Sequence, residues 1–265
     1  MEGRTARHTG NWFGLGYLGL ILAFLYLPIA VMMLMAFNRS ELYELPFVFD
    51  LVWFKALAGN SRLLWASFNS VWIAVVNAIV ATTLGTLAAY AFARYEFRGK
   101  KLMQILLFPP ITIPWLIIGT SMLIFFFWTG IGRGLHAILL GHVALSLPYV
   151  IVVVGARLQS LDPTMAEAAA TAGATPLQVF RRITLPLMAP GVVAAALFAF
   201  AVSFDQFVIS YFLAPPGTST LPVEIYTAIR KGFTPEINAI STIIILVSMG
   251  LVLLVARNYK FGGER

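Results

Sequence analysis

The chain has 265 residues, 60% of them hydrophobic and 11% charged, with a net charge of +7 and no cysteine. A soluble domain is about 45–50% apolar and about 25% charged, and the mean hydropathy here is +0.86. The composition excludes an ordinary soluble enzyme and a disordered chain. The missing cysteine excludes disulfides, thiol catalysis and thiolate metal sites.

Runs without Asp, Glu, Lys or Arg cover 8–38, 63–93, 102–132, 134–156, 183–204 with 206–223, and 237–256. A helix needs about 20 apolar residues to cross a bilayer. Six spans are expected, roughly at 14–37, 69–93, 103–128, 136–157, 187–212 and 237–257. The expected architecture is a single all-α, polytopic membrane domain over 1–265. The first run has no small-residue cleavage site and reads as a retained helix.

Loop charge sets the orientation. With both termini cytoplasmic, twelve of the 18 cations fall on the inside. Arg94, Arg98, Lys100 and Lys101 follow the second span, Arg157, Arg181 and Arg182 follow the fourth, and Arg4, Arg7, Arg257, Lys260 and Arg265 sit at the ends. The net positive charge therefore reads as membrane orientation, not as a nucleic-acid surface. The outer segment 38–67 interleaves Trp53, Phe54, Leu57 and Trp65 with Asp50, Lys55 and Arg62. It lies at the headgroup level or packs on the bundle.

The loop 158–186 is the most patterned stretch. Asp162-Pro163 reads as an N-cap with proline at the first helical position. An alanine-rich helix follows, and Gly173 ends it in a left-handed conformation. Thr175-Pro176 starts a second helix, with Gln178 completing a capping box. Leu185-Pro186 is expected to turn the chain into the fifth span. The small surface of Ala168, Ala169, Ala172 and Gly173 suits a docked partner, and Glu167 gives it one charged handle.

Asp205 is the one carboxylate well inside an expected span. Unpaired, it costs roughly 2.5–3.5 kcal/mol on insertion scales. On a continuous helix, Ser203, Gln206 and Ser210 share one stripe, and Asp205 lies about 100° away. Asp205 is either a counter-charge for a cation in transit or a group bonded across a helix interface. His142 and Ser146 could share a face, with His142 read as a packed, hydrogen-bonded residue. His8, His136 and His142 are scattered and form no metal set. The chain has no P-loop, nucleophile elbow, zinc-protease or dinucleotide motif, so no catalytic or metal-binding residue is assigned.

Glu167-Ala168-Ala169, Gly173 and Ile183-x-Leu185-Pro186 resemble, in residues and spacing, the EAA loop of permease subunits of bacterial ABC importers. The resemblance covers nearly the whole chain. It extends to Asn69-Ser70, to Gly85 with Ala88-Ala89-Tyr90-Ala91, and to Pro109-Pro110 with Pro114. Residues 203–212 and Leu221-Pro222-Val223-Glu224-Ile225-Tyr226 resemble the spermidine/putrescine permease branch, with Gln206 where an acidic residue is commoner.

The resemblance implies a type I importer transmembrane domain in the bacterial inner membrane, with no cofactor of its own. A second permease, expected as a hetero-pair, would enclose the path, and a periplasmic binding protein would deliver the solute. Two ATP-binding subunits would use ATP and magnesium and dock on the coupling loop. It implies docking roles for Glu167, Ala168, Ala169, Gly173, Ala174, Thr175 and Leu177. The path is expected at Asp205, Gln206, Ser203 and Ser210. Polyamines are the expected solute. An opine, an amino-acid derivative or another organic cation is the nearest alternative, and an ion-coupled secondary transporter or a membrane-embedded enzyme is more remote.

Overall fold

Long apolar runs have one way to satisfy their backbone in a bilayer, which is to pair every N–H and C=O inside a helix. The computed structural model describes residues 6–41, 44–107, 109–232 and 234–258, and these are overwhelmingly helical. Among them there is one isolated β-bridge, Asn38 with Phe49, and no strand. The orientation cations Arg4, Lys260 and Arg265 lie outside the described residues.

In chain order the helices are α1 (Ala6–Met35), α2 (Val52–Gly59), α3 (Ser61–Arg94), α4 (Lys100–Leu107), α5 (Pro109–Thr112), α6 (Trp115–Trp128) and α7 (Leu135–Gln159). The loop after α7 then carries α8 (Thr164–Thr171) and α9 (Pro176–Val179). A π-helical turn (Phe180–Thr184) leads into α10 (Leu185–Phe204), followed by α11 (Phe207–Leu213), α12 (Leu221–Lys231) and α13 (Glu236–Asn258).

Four helical runs are long and apolar enough to cross a membrane: Gly14–Met35, Ser61–Arg94, Leu135–Gln159 and Pro176–Phe204. A fifth is added if α4–α5 and α6 form one broken span, bent by 113°. The span expected over 103–128 is thus a bent pair of helices. Pro109, Pro110 and Pro114 supply the reason, since proline lacks an N–H and disfavours helical geometry at the residue before it. Pro114 itself is extended, at φ −55° and ψ 132°. The expected sixth span falls on α13, whose apolar described part is the shorter Glu236–Gly250.

The chain divides into two compact units. The first holds residues up to Leu64 and from Thr227 onward. In it α13 packs on α1 and α2, and Asn60 donates to Glu236 Oε2 at 2.7 Å. Its outer loop is built around buried Asn38. That side chain donates to Glu44 O at 3.1 Å and accepts from Val48 N at 3.0 Å, and the Asn38 backbone carbonyl accepts from Trp53 Nε1 at 2.7 Å. Phe37 stacks on Phe49 and packs at a tilt against Phe54 beside it. Trp53 is therefore tied into the loop, while Trp65 is exposed.

The second unit, Trp65–Tyr226, carries the two apolar cores. One gathers Ile73, Phe126, Ile138, Leu145, Ile209 and Leu213, and the other Ala81, Val150, Val154, Met188, Ala195 and Ala199. The second is rich in small residues, which let helix backbones approach where lipid offers no hydrophobic drive for association. Its main pairing is α7 with α10. A β-carbon at Gly85 would stand 2.5 Å from Val150 Cγ1, so this α3–α7 contact requires glycine. Along α3, Ser70, Ala74, Asn77, Ala81 and Gly85 recur every three or four residues and are all buried. Asn77 donates to Ser146 Oγ and to Ala199 O, each at 2.9 Å, and so joins α3 to α7 and α10.

Candidate functional site

The loop after α7 is closed by local hydrogen bonds at every helix end. Asp162 Oδ1 accepts from the Thr164 backbone N–H at 2.9 Å and also from its hydroxyl. The Thr164 hydroxyl and then its backbone N–H hold the Asp162 carboxyl below the usual aspartate range. Pro163 is helical, at φ −69° and ψ −19°, so Asp162 caps the helix as its sequence position suggests.

At the other end Gly173 has φ +88°. Gly173 N–H donates to Ala170 O and Ala174 N–H to Ala169 O, both at 3.0 Å. This is a Schellman closure. Thr175 and Gln178 form the full capping box of α9, with Thr175 N–H donating to Gln178 Oε1 at 2.8 Å.

A loop this well satisfied internally keeps its shape and exposes what is left. Glu167, Ala168, Gly173, Thr175 and Leu177 are exposed, and Ala169 and Ala174 are half-buried. Leu177 is 63% and Met165 57% exposed, a sparse apolar surface.

Behind the loop the helix does not turn at Leu185-Pro186, as the sequence led us to expect. It runs unbroken from Pro176 to Phe204. The chain absorbs Pro186 with a π turn, in which Leu185 N–H reaches back to Phe180 O. The Phe180 ring packs on Tyr90 at the end of α3, with centroids 4.6 Å apart. Arg157 Nη2 donates to Leu187 O at 3.2 Å, tying α7 to α10.

The second site is the gap between α10 and α11. The expected continuous helix 187–212 ends at Phe204, and Gln206 is extended at φ −71° and ψ 95°. The reason lies in another helix. The His142 imidazole on α7 bonds Ser203 Oγ through Nδ1 at 2.8 Å and Ser210 Oγ through Nε2 at 3.1 Å. Seven residues of straight helix rise about 10.5 Å, further than one ring with a hydrogen bond on each side spans. Breaking the helix brings both hydroxyls to one histidine. His142 does not share its bonds with Ser146, which serves Asn77 instead.

The break separates the residues expected to line a path into two environments. Ser203, Gln206 and Ser210 are buried, and Gln206 is 2% exposed with no partner for either amide atom. Asp205 is exposed at the C-cap of α10, whose closing carbonyls carry the negative end of the helix dipole. Two residues on, Phe207, Tyr211 and Tyr226 form a closed triangle of rings, with centroid separations of 5.4, 4.8 and 6.0 Å.

The sequence reading missed Asn77 and this aromatic triangle. The three-and-four spacing of small and polar residues on α3 was the available signal for Asn77. Nothing local announced the triangle, since Tyr226 comes from a separate helix. Among the described residues no group of three or more His, Asp or Glu could hold a metal ion.

The chain is 36% identical over 250 residues to the spermidine/putrescine transport system permease protein PotC of Escherichia coli (strain K12), covering 93% of this chain and 95% of the relative. It is 36% identical over 241 residues to the putrescine transport system permease protein PotI of the same strain, covering 88% and 85%. In fold it resembles a chain of the bacterial alginate ABC transporter crystallised with an alginate pentasaccharide-bound periplasmic protein. There the TM-score is 0.75 at 18% identity, covering 99% and 100% of the two chains. Residues 81–261 match the family model described as binding-protein-dependent transport system inner membrane component. The chain is an all-helical membrane protein with the fold of an ABC importer transmembrane domain, and it belongs to the binding-protein-dependent transport system inner membrane component family.

Proposed function

We propose that this chain is a membrane-spanning subunit of an ATP-driven, binding-protein-dependent importer of polyamines, with both termini and the loop 158–186 on the cytoplasmic side. The observation that carries the substrate class is full-length similarity to permeases named for spermidine and putrescine. The break at Asp205 supports it chemically. An exposed carboxylate, the negative end of α10 and three aromatic rings suit a flexible organic cation. An anionic solute would meet repulsion there.

The work of ATP hydrolysis belongs to separate ATP-binding subunits, each using ATP and magnesium. A second permease completes the path, and a periplasmic protein loads it. Glu167, Ala168, Ala169, Gly173, Ala174, Thr175 and Leu177 form the docking face. Motion of the ATPases enters through this face, passes the π turn and moves α10 relative to the end of α3. Asp205 receives the cation's charge at the break, and the buried Gln206, Ser203 and Ser210 become accessible as α10 and α11 shift. Binding along the path stays weak enough for release.

The test is uptake of labelled putrescine and spermidine in cells with and without the gene, against excess unlabelled polyamines, amino acids and opines. Loss on deletion, restoration by the gene and block by polyamines alone support the reading. Unchanged polyamine uptake contradicts the substrate assignment.

A further inference from the structure

The end of α7 that leads into the coupling loop also walls a groove of about 540 Å³. That volume falls in the roughly 300–1,000 Å³ range of small-molecule sites. Its walls are mainly apolar: Phe92 of α3, Leu107 and Ile111 of α4 and α5, and Ile151 and Val152 of α7. Gly155 lines it as well, and a β-carbon there would touch nothing within 4 Å.

The side chain of Gln104 borders both this groove and a second cavity of about 560 Å³. The second cavity has a different chemistry, with Lys100, Lys101 and the Gly99 turn in its wall. Glu96 is there too, but Lys100 binds it at 2.6 Å. Four cations, Arg94, Arg98, Lys100 and Lys101, fall within eight residues at this end. Between the cavities runs α4, with Leu102, Met103, Ile105 and Leu106 all more than half exposed.

An apolar slot opening beside a cluster of cations, at the membrane edge, has the chemistry of an anionic lipid. A free phosphate would use the cations and leave the slot empty. A cationic solute would be repelled. Juxtamembrane clusters of four or more basic residues attract the anionic inner leaflet by about 1 kcal/mol per cation, or about fivefold each.

We infer that this chain binds an anionic phospholipid of the inner leaflet, with an acyl chain in the groove of α3, α4, α5 and α7 and its phosphate at Lys101 of the second cavity, within the cationic field of residues 94–101. The inference rests on the proposed cytoplasmic placement of the coupling loop. The bound lipid fills the space between α4 and α7, next to the joint through which the loop moves α10.

The test uses the purified full importer in vesicles of phosphatidylglycerol and phosphatidylethanolamine, followed by detergent extraction and native mass spectrometry. Wild type is expected to retain phosphatidylglycerol selectively. Arg98→Gln with Lys101→Gln weakens retention about 25-fold, as two cations at about fivefold each. Gly155→Phe fills the groove, leaves the cations in place and removes the lipid.

Retention unchanged in both variants overturns the inference. So does inorganic phosphate displacing the lipid from wild type at millimolar concentration, which assigns the cations to a free anion. A photo-reactive residue at Val152 that labels the second permease instead of lipid overturns it as well. Polyamine uptake by the same vesicles reads the transport assignment separately, so the two can fail independently.

Discussion

The rings of Tyr90 and Phe180 pack with centroids 4.6 Å apart, joining the end of α3 to the π turn behind the loop that carries α8 and α9. On the proposed function, this contact lies on the route by which a push on α8 and α9 would pass into the spans. An aromatic pair is worth about 0.5–1.5 kcal/mol beyond its buried area. Phe180→Ala is expected to leave the complex assembled and ATP hydrolysis running, while uptake per ATP falls about two- to tenfold. Parallel assays of ATPase rate and uptake in proteoliposomes check it. A proportional fall in both would mean that the contact is structural only.

Glu167 is exposed on α8 and its side chain supports no capping bond of the loop. Glu167→Lys is therefore expected to leave membrane insertion intact and to cut co-purification of the ATP-binding subunit by about tenfold or more, since reversing the charge turns a complementary contact at the proposed docking face into a repulsive one. Gly173→Val is expected to fail for a different reason. Its φ of +88° forces a branched side chain into a conformation only glycine holds cheaply. Pull-down of the ATPase with each variant, together with membrane fractionation, tests both.

Much of this loop is legible in the sequence because its rules are local. Asp162, Gly173 and the Thr175–Gln178 pair each act over a few residues, and each does in the structure what its type and spacing dictate. The break at Asp205-Gln206 was not legible. No proline or glycine marks it, and its cause is His142, more than sixty residues away in the chain. The bend at Pro114 and the π turn at Pro186 are intermediate cases. Their prolines are visible in the sequence, but a bend, a turn and a π-helical detour all satisfy the same missing N–H.

His142→Ala removes both bonds that hold the break together. Ser203 and Ser210 would then be buried without their partner, at about 1–3 kcal/mol for each unsatisfied group. Transmembrane hydrogen bonds measured directly fall nearer 0.6 kcal/mol, so the expected loss is about 1–3 kcal/mol in total. Thermal unfolding of the purified complex should shift down by about 2–4 °C for each kcal/mol. Asn77→Ala should behave similarly through α3, α7 and α10. An unchanged melting temperature in both would contradict the account of the core.

The Asp162 cap gives a pH dependence with a defined sign. Its carboxyl is held below the ordinary aspartate value by the two bonds from Thr164. The stability it adds is fully present above the unfolded value of about 3.9. It is lost as pH falls through the folded value. Protection of 164–171 against hydrogen exchange, relative to the intrinsic rate at each pH, should fall below about pH 4 in wild type, where Asp162→Ala should already be less protected at neutral pH. Equal exchange in both proteins at neutral pH would remove the cap from the account.

The most direct measurement is labelled putrescine uptake into proteoliposomes holding the complete importer and its binding protein, with and without ATP on the ATPase side. Uptake that requires ATP, persists when the proton gradient is dissipated and vanishes in Glu167→Lys is the predicted result. Uptake that runs without ATP on a proton gradient, or that survives Glu167→Lys at full rate, would contradict the claim that this loop couples ATP to transport.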